Sequence, residues 1–145
     1  MGLFDMFSGE GKNTFGPHEG FAGVLLAAAA ADGHIAEEEA RGLWSAIGRM
    51  KLFSNYTPEK FNRLMDTLLK VLKKGGPEAL VEKCAPALPE RLRAPAFCNA
   101  VDIVLSDGSV EDEEKELIEK LQAALEVDDD EAKMIIQVMI IKNRG

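Results

Sequence analysis

The chain has 145 residues, a net charge of −8 and a hydrophobic fraction of 46%. This length is typical of one compact domain, and the hydrophobic fraction is large enough for a core. The 17 Lys and Arg residues against 25 Asp and Glu residues argue against nucleic acid as a partner, because phosphate binding needs clustered basic side chains. The acidic excess instead indicates cations or basic protein surfaces.

The cysteine content and the apolar runs predict a cytoplasmic protein. Cys84 and Cys98 are too few and too widely spaced for a secreted disulfide scaffold, so both are predicted to be reduced thiols. The first residues lack the basic region and long apolar stretch of a secretory signal. The longest apolar run, residues 24–31, is too short to span a bilayer.

Residues 1–18 are predicted to be a flexible N-terminal segment before a single domain over residues 19–145. This segment has an apolar tip followed by a glycine-rich linker, and the tip residues are Leu3, Phe4, Met6 and Phe7. Docking of the tip on the domain, or disorder, is the favoured interpretation. Membrane contact through the tip is disfavoured, because so few apolar residues anchor a chain weakly.

From residue 19 onward the apolar residues recur with helical spacing, and no segment alternates as a strand would. Gly-containing turns mark helix ends at residues 32–33, 75–77 and 107–108, while Thr57 and Asp128 have the character of N-caps. We therefore predict an all-α domain of about seven helices, over residues 21–31, 36–50, 58–74, 77–85, 89–105, 111–126 and from 128 onward. The core-facing residues predicted for the last helix are Met134, Ile135, Val138 and Ile141.

An internal repeat relates the two halves of the chain. Asp32 and Asp107 are separated by 75 positions, and at this offset acidic and apolar residues align together. The aligned pairs include Leu26 with Val101, Ile35 with Val110, Glu38 with Glu113, Glu39 with Glu114 and Leu43 with Ile118. Because core positions match as well as charged ones, we predict two repeats, residues 20–74 and 95–143, packed about a pseudo-twofold axis.

Each repeat carries the pattern Asp-Gly-x-(Ile or Val)-x-x-x-Glu at its first helix–helix corner. The pattern is similar to the second part of an EF-hand calcium loop. The first two EF-hand ligands would fall on Ala28 and Ala30 in one repeat, and on Ile103 and Leu105 in the other. None of these residues has a side-chain oxygen, so an EF-hand cage is excluded.

A cation site shared by both corners remains a separate hypothesis. If the pseudo-twofold axis brings the corners together, four carboxylates converge, with Glu38 and Glu113 beside them: Asp32, Glu39, Asp107 and Glu114. Ca²⁺, Mg²⁺ and Mn²⁺ prefer such oxygen ligands. The alternative needs no ligand: an Asp before Gly accepts hydrogen bonds from the next amides, and acids in a first helical turn are favoured by the helix dipole.

The duplicated helical unit and its two corners resemble the tellurite-resistance TerB family. The resemblance rests on residues 32–39, Asp-Gly-His-Ile-Ala-Glu-Glu-Glu, and 107–114, Asp-Gly-Ser-Val-Glu-Asp-Glu-Glu, and it covers residues 19–143. It implies a compact all-helical bacterial binding module linked to tellurite and chemical-stress responses. It also implies a metal site at the corner acids named above.

No catalytic set is found, so we predict a module that is not an enzyme. Neither His18 nor His34 follows a Glu by three residues, as a di-iron helix motif requires, and the cysteines lack a base. Residues 107–131 hold 12 of the 25 acids. This run is either a solvated face or a docking surface, which gives an alternative function: an adaptor or scaffold domain that binds a protein partner without a metal.

Overall fold

The computed structural model describes residues 15–33, 35, 37–106 and 108–144. Its α-helices are α1 Pro17–Ala29, α2 Glu37–Ile47, α3 Pro58–Cys84, α4 Glu90–Leu105, α5 Asp112–Ala124 and α6 Asp129–Lys142. Two short 3-10 turns, Lys51–Phe53 and Ala85–Ala87, precede and follow α3. No strand occurs within the described ranges, so the predicted all-α class is confirmed.

The predicted count of seven helices is not confirmed, because the third and fourth predicted helices form one element, α3. The interruption predicted at residues 75–77 is nevertheless visible inside this element. Gly76 has φ of 78° and ψ of −178°, a non-helical conformation that glycine adopts without the cost of a Cβ. Pro77 follows, and its ring removes a backbone donor at the same point. The chain therefore changes direction at Gly76 and continues to Cys84.

The predicted starts of α3 and α6 are confirmed by their hydrogen bonds. The Thr57 hydroxyl accepts from the Lys60 N–H at 3.2 Å, and the Asp128 carboxylate accepts from the Glu131 N–H at 2.7 Å. These bonds satisfy backbone donors that a helix N-terminus leaves unpaired. At these two positions the sequence alone was sufficient to predict where the helix starts.

The first helix begins earlier than predicted, at Pro17, and its start packs on the domain. The His18 Nε2 atom lies 2.9 Å from the Leu52 carbonyl oxygen, and the imidazole stacks on the Tyr56 ring with centroids 4.9 Å apart. Phe15 is half-buried against the core. The predicted apolar tip, in contrast, lies outside the described residues.

The core is built around α1, in which residues 21–28 are all buried. Ala and Gly make up much of this helix, so α3 and α4 can approach its axis closely. A Cβ added at Gly23 would overlap the Cys84 sulfur at the end of α3. A helix that is apolar on every side is expected in the centre of a bundle, and α1 occupies that position.

The predicted inward face of α6 is partly wrong. Ile135 is buried, but Met134, Val138 and Ile141 are 56%, 50% and 61% exposed. Large apolar residues occupy nearly every side of α6 after residue 133, so the periodicity could not identify which side meets the core. None of the helices described here is long and apolar enough to cross a membrane.

Candidate cation-binding corners

The glycines of the two Asp-Gly corners have the same backbone conformation. Gly33 and Gly108 have φ of 90° and 85°, in the left-handed region. The Gly33 N–H donates to the Ala30 carbonyl at 2.9 Å, and the Gly108 N–H donates to the Leu105 carbonyl at 3.1 Å. The two donor residues are 75 positions apart, and so are the two acceptor residues. Glycine is required here because a side chain at positive φ is strained.

An open cavity borders each corner, beside the third helix of each predicted repeat. The cavity of the first corner is about 540 Å³ and combines aliphatic residues with Glu37 and Lys73. The cavity of the second corner is about 400 Å³ and is almost wholly aliphatic, with Lys115 and Glu119 on its lining. Ile35 and Val110, the aligned aliphatic residues of the motif, line the first and the second cavity respectively.

The acids of the second corner lie at the start of α5, where they take part in the helix cap. Glu111 precedes the first helical residue, and its N–H donates to the Glu114 Oε1 atom at 2.8 Å. Glu114 is accordingly half-buried, whereas Glu113 is exposed. One oxygen of Glu114 thus satisfies a backbone donor at the start of the helix.

The carboxylates of the two corners interact electrostatically. The pKa of Glu111 is raised above its ordinary value of 4.5, mainly by the negative charge of Glu113, then by desolvation and by the charge of Glu114. The charge of Asp32 raises it further, although Asp32 belongs to the other corner. Like charges disfavour ionisation of a neighbour only at short range. The charges of both corners therefore contribute to the electrostatic environment of Glu111.

The predicted cation ligands are only partly brought together. Asp32 is exposed and its charge contributes to the raised pKa of Glu111, after the larger contribution of Glu113. Glu38 and Glu39 lie exposed in the first turn of α2. Asp107 lies outside the described residues. Among the residues that the structure does describe, no group of three or more His, Cys, Asp or Glu side chains is arranged to hold a metal ion.

Glu111 is the functional candidate that the sequence interpretation missed. It aligns with Ala36, which has no side-chain oxygen, so the comparison of repeats hid it. The available signal was its position three residues before Glu114. At this spacing the side chain of an acid in the first helical turn commonly accepts a hydrogen bond from the N–H of the N-cap residue.

Neither cysteine is activated as a nucleophile. Burial raises the pKa of the Cys84 thiol to about 12, and this thiol packs against Gly23. The pKa of Cys98 is also raised, mainly by burial and secondarily by the charge of Asp102. Both side chains therefore remain protonated at neutral pH.

Comparison of the chain with protein-family models, with curated proteins and with solved structures finds no match. The resemblance to the TerB family therefore depends on the corner sequences and the duplicated helical unit. It stays a prediction.

Proposed function

We propose that this chain is a cytoplasmic, non-enzymatic binding module of TerB type that takes up a divalent cation at its two acidic corners. One observation supports the proposal most strongly: the pKa of Glu111 is raised, mainly by the charge of Glu113 and in smaller part by the charge of Asp32 of the other corner. Neighbouring carboxylates repel one another, and a hard cation with oxygen ligands relieves that repulsion. Ca²⁺, Mg²⁺ and Mn²⁺ are the ions of this class.

The proposed ligands combine the predicted set with the acid that the structure adds. Asp32 and Glu111 belong to different predicted repeats, and Asp107 belongs to the same pair of corners. Glu114 keeps one oxygen on the Glu111 amide, so the cation would use its other oxygen. Glu39 occupies the aligned position in the first repeat, with Glu38 and Glu113 beside these acids. A pseudo-twofold relation between the halves would make the cation a bridge between repeats.

The cellular role that we propose is part of a bacterial tellurite or chemical-stress response. The support for it is the resemblance of residues 32–39 and 107–114 to the TerB family, together with the duplicated helical unit. Within that role the module would bind rather than react, because both thiols are protonated and no nucleophile–base pair was found in the sequence.

Thermal unfolding with added cations tests the proposal. A ligand that binds only the folded state stabilises it by about 2.7 kcal/mol at a concentration one hundred times its Kd. At constant ionic strength, millimolar Mn²⁺, Mg²⁺ or Ca²⁺ should therefore raise the Tm of the chain by several degrees. Glu111→Gln combined with Asp32→Asn should remove this increase.

A matched control is Glu59→Gln. Glu59 is also an acid in the first turn of a helix, α3, but it does not belong to either corner. This variant should keep the cation-dependent increase in Tm. If all three cations leave the Tm of the natural chain unchanged, the corner acids serve only the helix ends and the metal proposal is wrong.

A second candidate function, an adaptor without a metal, is supported by the acidic surface of α5. Glu116 and Glu119 are exposed on this helix, and their carboxylates are not part of its N-terminal cap. Glu126 is different, since it forms a 2.6 Å ion pair with Arg93. Glu116 and Glu119 are therefore the acids of this surface that a basic partner would contact most directly.

The adaptor function predicts binding of a Lys-rich peptide that weakens steeply with salt, because exposed charges are screened. Glu116→Lys with Glu119→Lys should abolish peptide binding without changing the helical circular dichroism spectrum. Asp129 should be left unchanged, since it accepts a hydrogen bond from Gln122 at 2.7 Å. Equal peptide binding by the double variant would identify the acidic run as solvated surface.

A further inference from the structure

Helix α6 has two apolar faces but buries only one. Ala132 and Ile135 are buried on the side that meets α4. Met134, Val138 and Ile141 are exposed and follow the spacing i, i+4, i+7. Single exposed apolar residues are common on protein surfaces, but three large ones on a single helix face have the pattern used for helix packing. We refer to Met134, Val138 and Ile141 as the outer stripe.

Charged residues flank the outer stripe in a self-complementary arrangement. Asp130 and Glu131 lie in the first turn of α6, whereas Lys142 and Arg144 lie at its end. With the helical period of 3.6 residues, continued two residues past the end of α6 at Lys142, Asp130 and Arg144 fall on one side of the stripe, and Glu131 and Lys142 fall on the other. An identical helix in antiparallel orientation would therefore meet opposite charges along both sides.

We propose that the outer stripe is the interface of a symmetric homodimer, in which α6 packs antiparallel against α6 of a second copy. A twofold axis near Val138 places Met134 of each copy against Ile141 of the other. The same axis places Asp130 of each copy beside Arg144 of the other. An interface of this kind is self-complementary, as twofold symmetry requires.

The charge distribution favours a second copy over a basic partner. A uniformly basic helix would match Asp130 but would be repelled by Arg144 at the other end of the stripe. Lys142 already donates to Asp102 of its own chain at 3.1 Å. The main ion pair between copies is therefore expected between Asp130 and Arg144. Arg144 is exposed and can reach across the interface.

The size of the stripe indicates a weak dimer. Stable protein interfaces bury about 1,600 Å² in total, and those below about 1,200 Å² are typical of transient association. Three apolar side chains and one charged pair from each copy belong to the smaller class. The dimer should therefore form and dissociate as the protein concentration is changed over the micromolar range.

Sedimentation velocity over a range of protein concentrations tests the dimer. The natural chain should shift from a monomer of 15.8 kDa towards twice that mass as its concentration rises. Val138→Lys should remain monomeric throughout, with an unchanged circular dichroism spectrum. Ala46→Lys, a substitution at an exposed position on α2, is the control and should dimerise as the natural chain does. A natural chain that stays monomeric at every concentration would overturn the proposal.

A charge exchange tests the antiparallel arrangement itself. Asp130→Arg places two arginines together at each end of the stripe, and Arg144→Asp places two aspartates together. Each single change should weaken dimerisation by about tenfold, because an attraction becomes a repulsion at two symmetric places. The two changes combined should restore the dimer constant to about its natural value. If their effects instead add, these residues do not face each other and the antiparallel dimer is wrong.

Discussion

The third helices of the two predicted repeats, α3 and α6, start in the same way but pack differently against the rest of the domain. Both α3 and α6 begin at a side-chain cap, Thr57 or Asp128, which satisfies a backbone amide. Beyond the turn at Gly76, α3 continues to Cys84 and packs that end against α1. Helix α6 ends at Lys142 and exposes the outer stripe. The two predicted repeats thus share the signals that start helices and turn corners, while their outer surfaces differ.

The largest effect is expected where the end of α3 meets α1. Gly23→Ala adds a Cβ that overlaps the Cys84 sulfur. The same Cβ lies 3.3 Å from the Leu68 Cδ2 atom. Overpacking of this kind typically costs about 1 to 3 kcal/mol in the free energy of unfolding. Chemical denaturation followed by circular dichroism should report that loss.

A double variant and a control sharpen this test. Gly23→Ala combined with Cys84→Ala removes the overlapping sulfur and should recover part of the lost stability. Gly42→Ala, on α2, meets no atom within 4 Å and should be neutral or stabilising by up to about 1 kcal/mol. If Gly23→Ala is as harmless as Gly42→Ala, the close packing of α3 on α1 is incorrect.

An intermediate effect is expected at the two corners, and it should be similar in both. Gly33→Ala and Gly108→Ala meet open space, so the only cost is the positive φ that the new residue must adopt. That conformation costs an L-residue roughly 1 to 2 kcal/mol. Denaturation midpoints should fall by comparable amounts in the two variants. A loss at one corner alone would show that the two glycines do not share a backbone conformation.

The smallest effect concerns the charge of Glu111, and it depends on pH. Since the pKa of Glu111 is raised in the folded state, the folded chain holds this proton more tightly than the unfolded chain. Stability is therefore lost as the pH rises through the raised pKa, and the loss persists at neutral pH. Glu111→Gln should raise the Tm at pH 7, and this gain should vanish below about pH 4, where the natural residue is protonated in both states.

Glu59→Gln is the control for this pH dependence. Its carboxylate lies in the first turn of α3, where the helix dipole favours a negative charge. The Gln variant should therefore not gain stability at pH 7. A gain of equal size in both variants would mean that general charge reduction, rather than repulsion between the corners, raises the Tm.

Local signals predicted the parts of the fold that depend on local physics. Thr57, Asp128 and the glycine at each corner carry their conformational preference in their own chemistry, so their roles could be read from the sequence. The inward side of α6 could not, because Met134, Ile135 and Val138 are all apolar and only packing against α4 selects Ile135. The break at Gly76 was also predicted, but whether it separates two helices or bends one depends on tertiary contacts.

The candidate site was predictable only in outline. The offset between repeats identified Asp32 and Glu114, since aligned acids stand out in a duplicated pattern. Glu111 has Ala36 as its counterpart, and the charge of Asp32, which raises its pKa less than Glu113 does, belongs to a distant part of the sequence. The resemblance to the TerB family added a proposed function to this outline. Cation-binding measurements are needed to test that function.

The central claim is that one divalent cation is shared by both corners. Mn²⁺ broadens the NMR signals of nuclei close to it, so the backbone amides of Gly33 and Gly108 report on the two corners separately. The account predicts that substoichiometric Mn²⁺ broadens both signals together, and that Glu111→Gln reduces both effects. Broadening confined to one corner, or to residues 129–131 at the start of α6, would contradict the shared site.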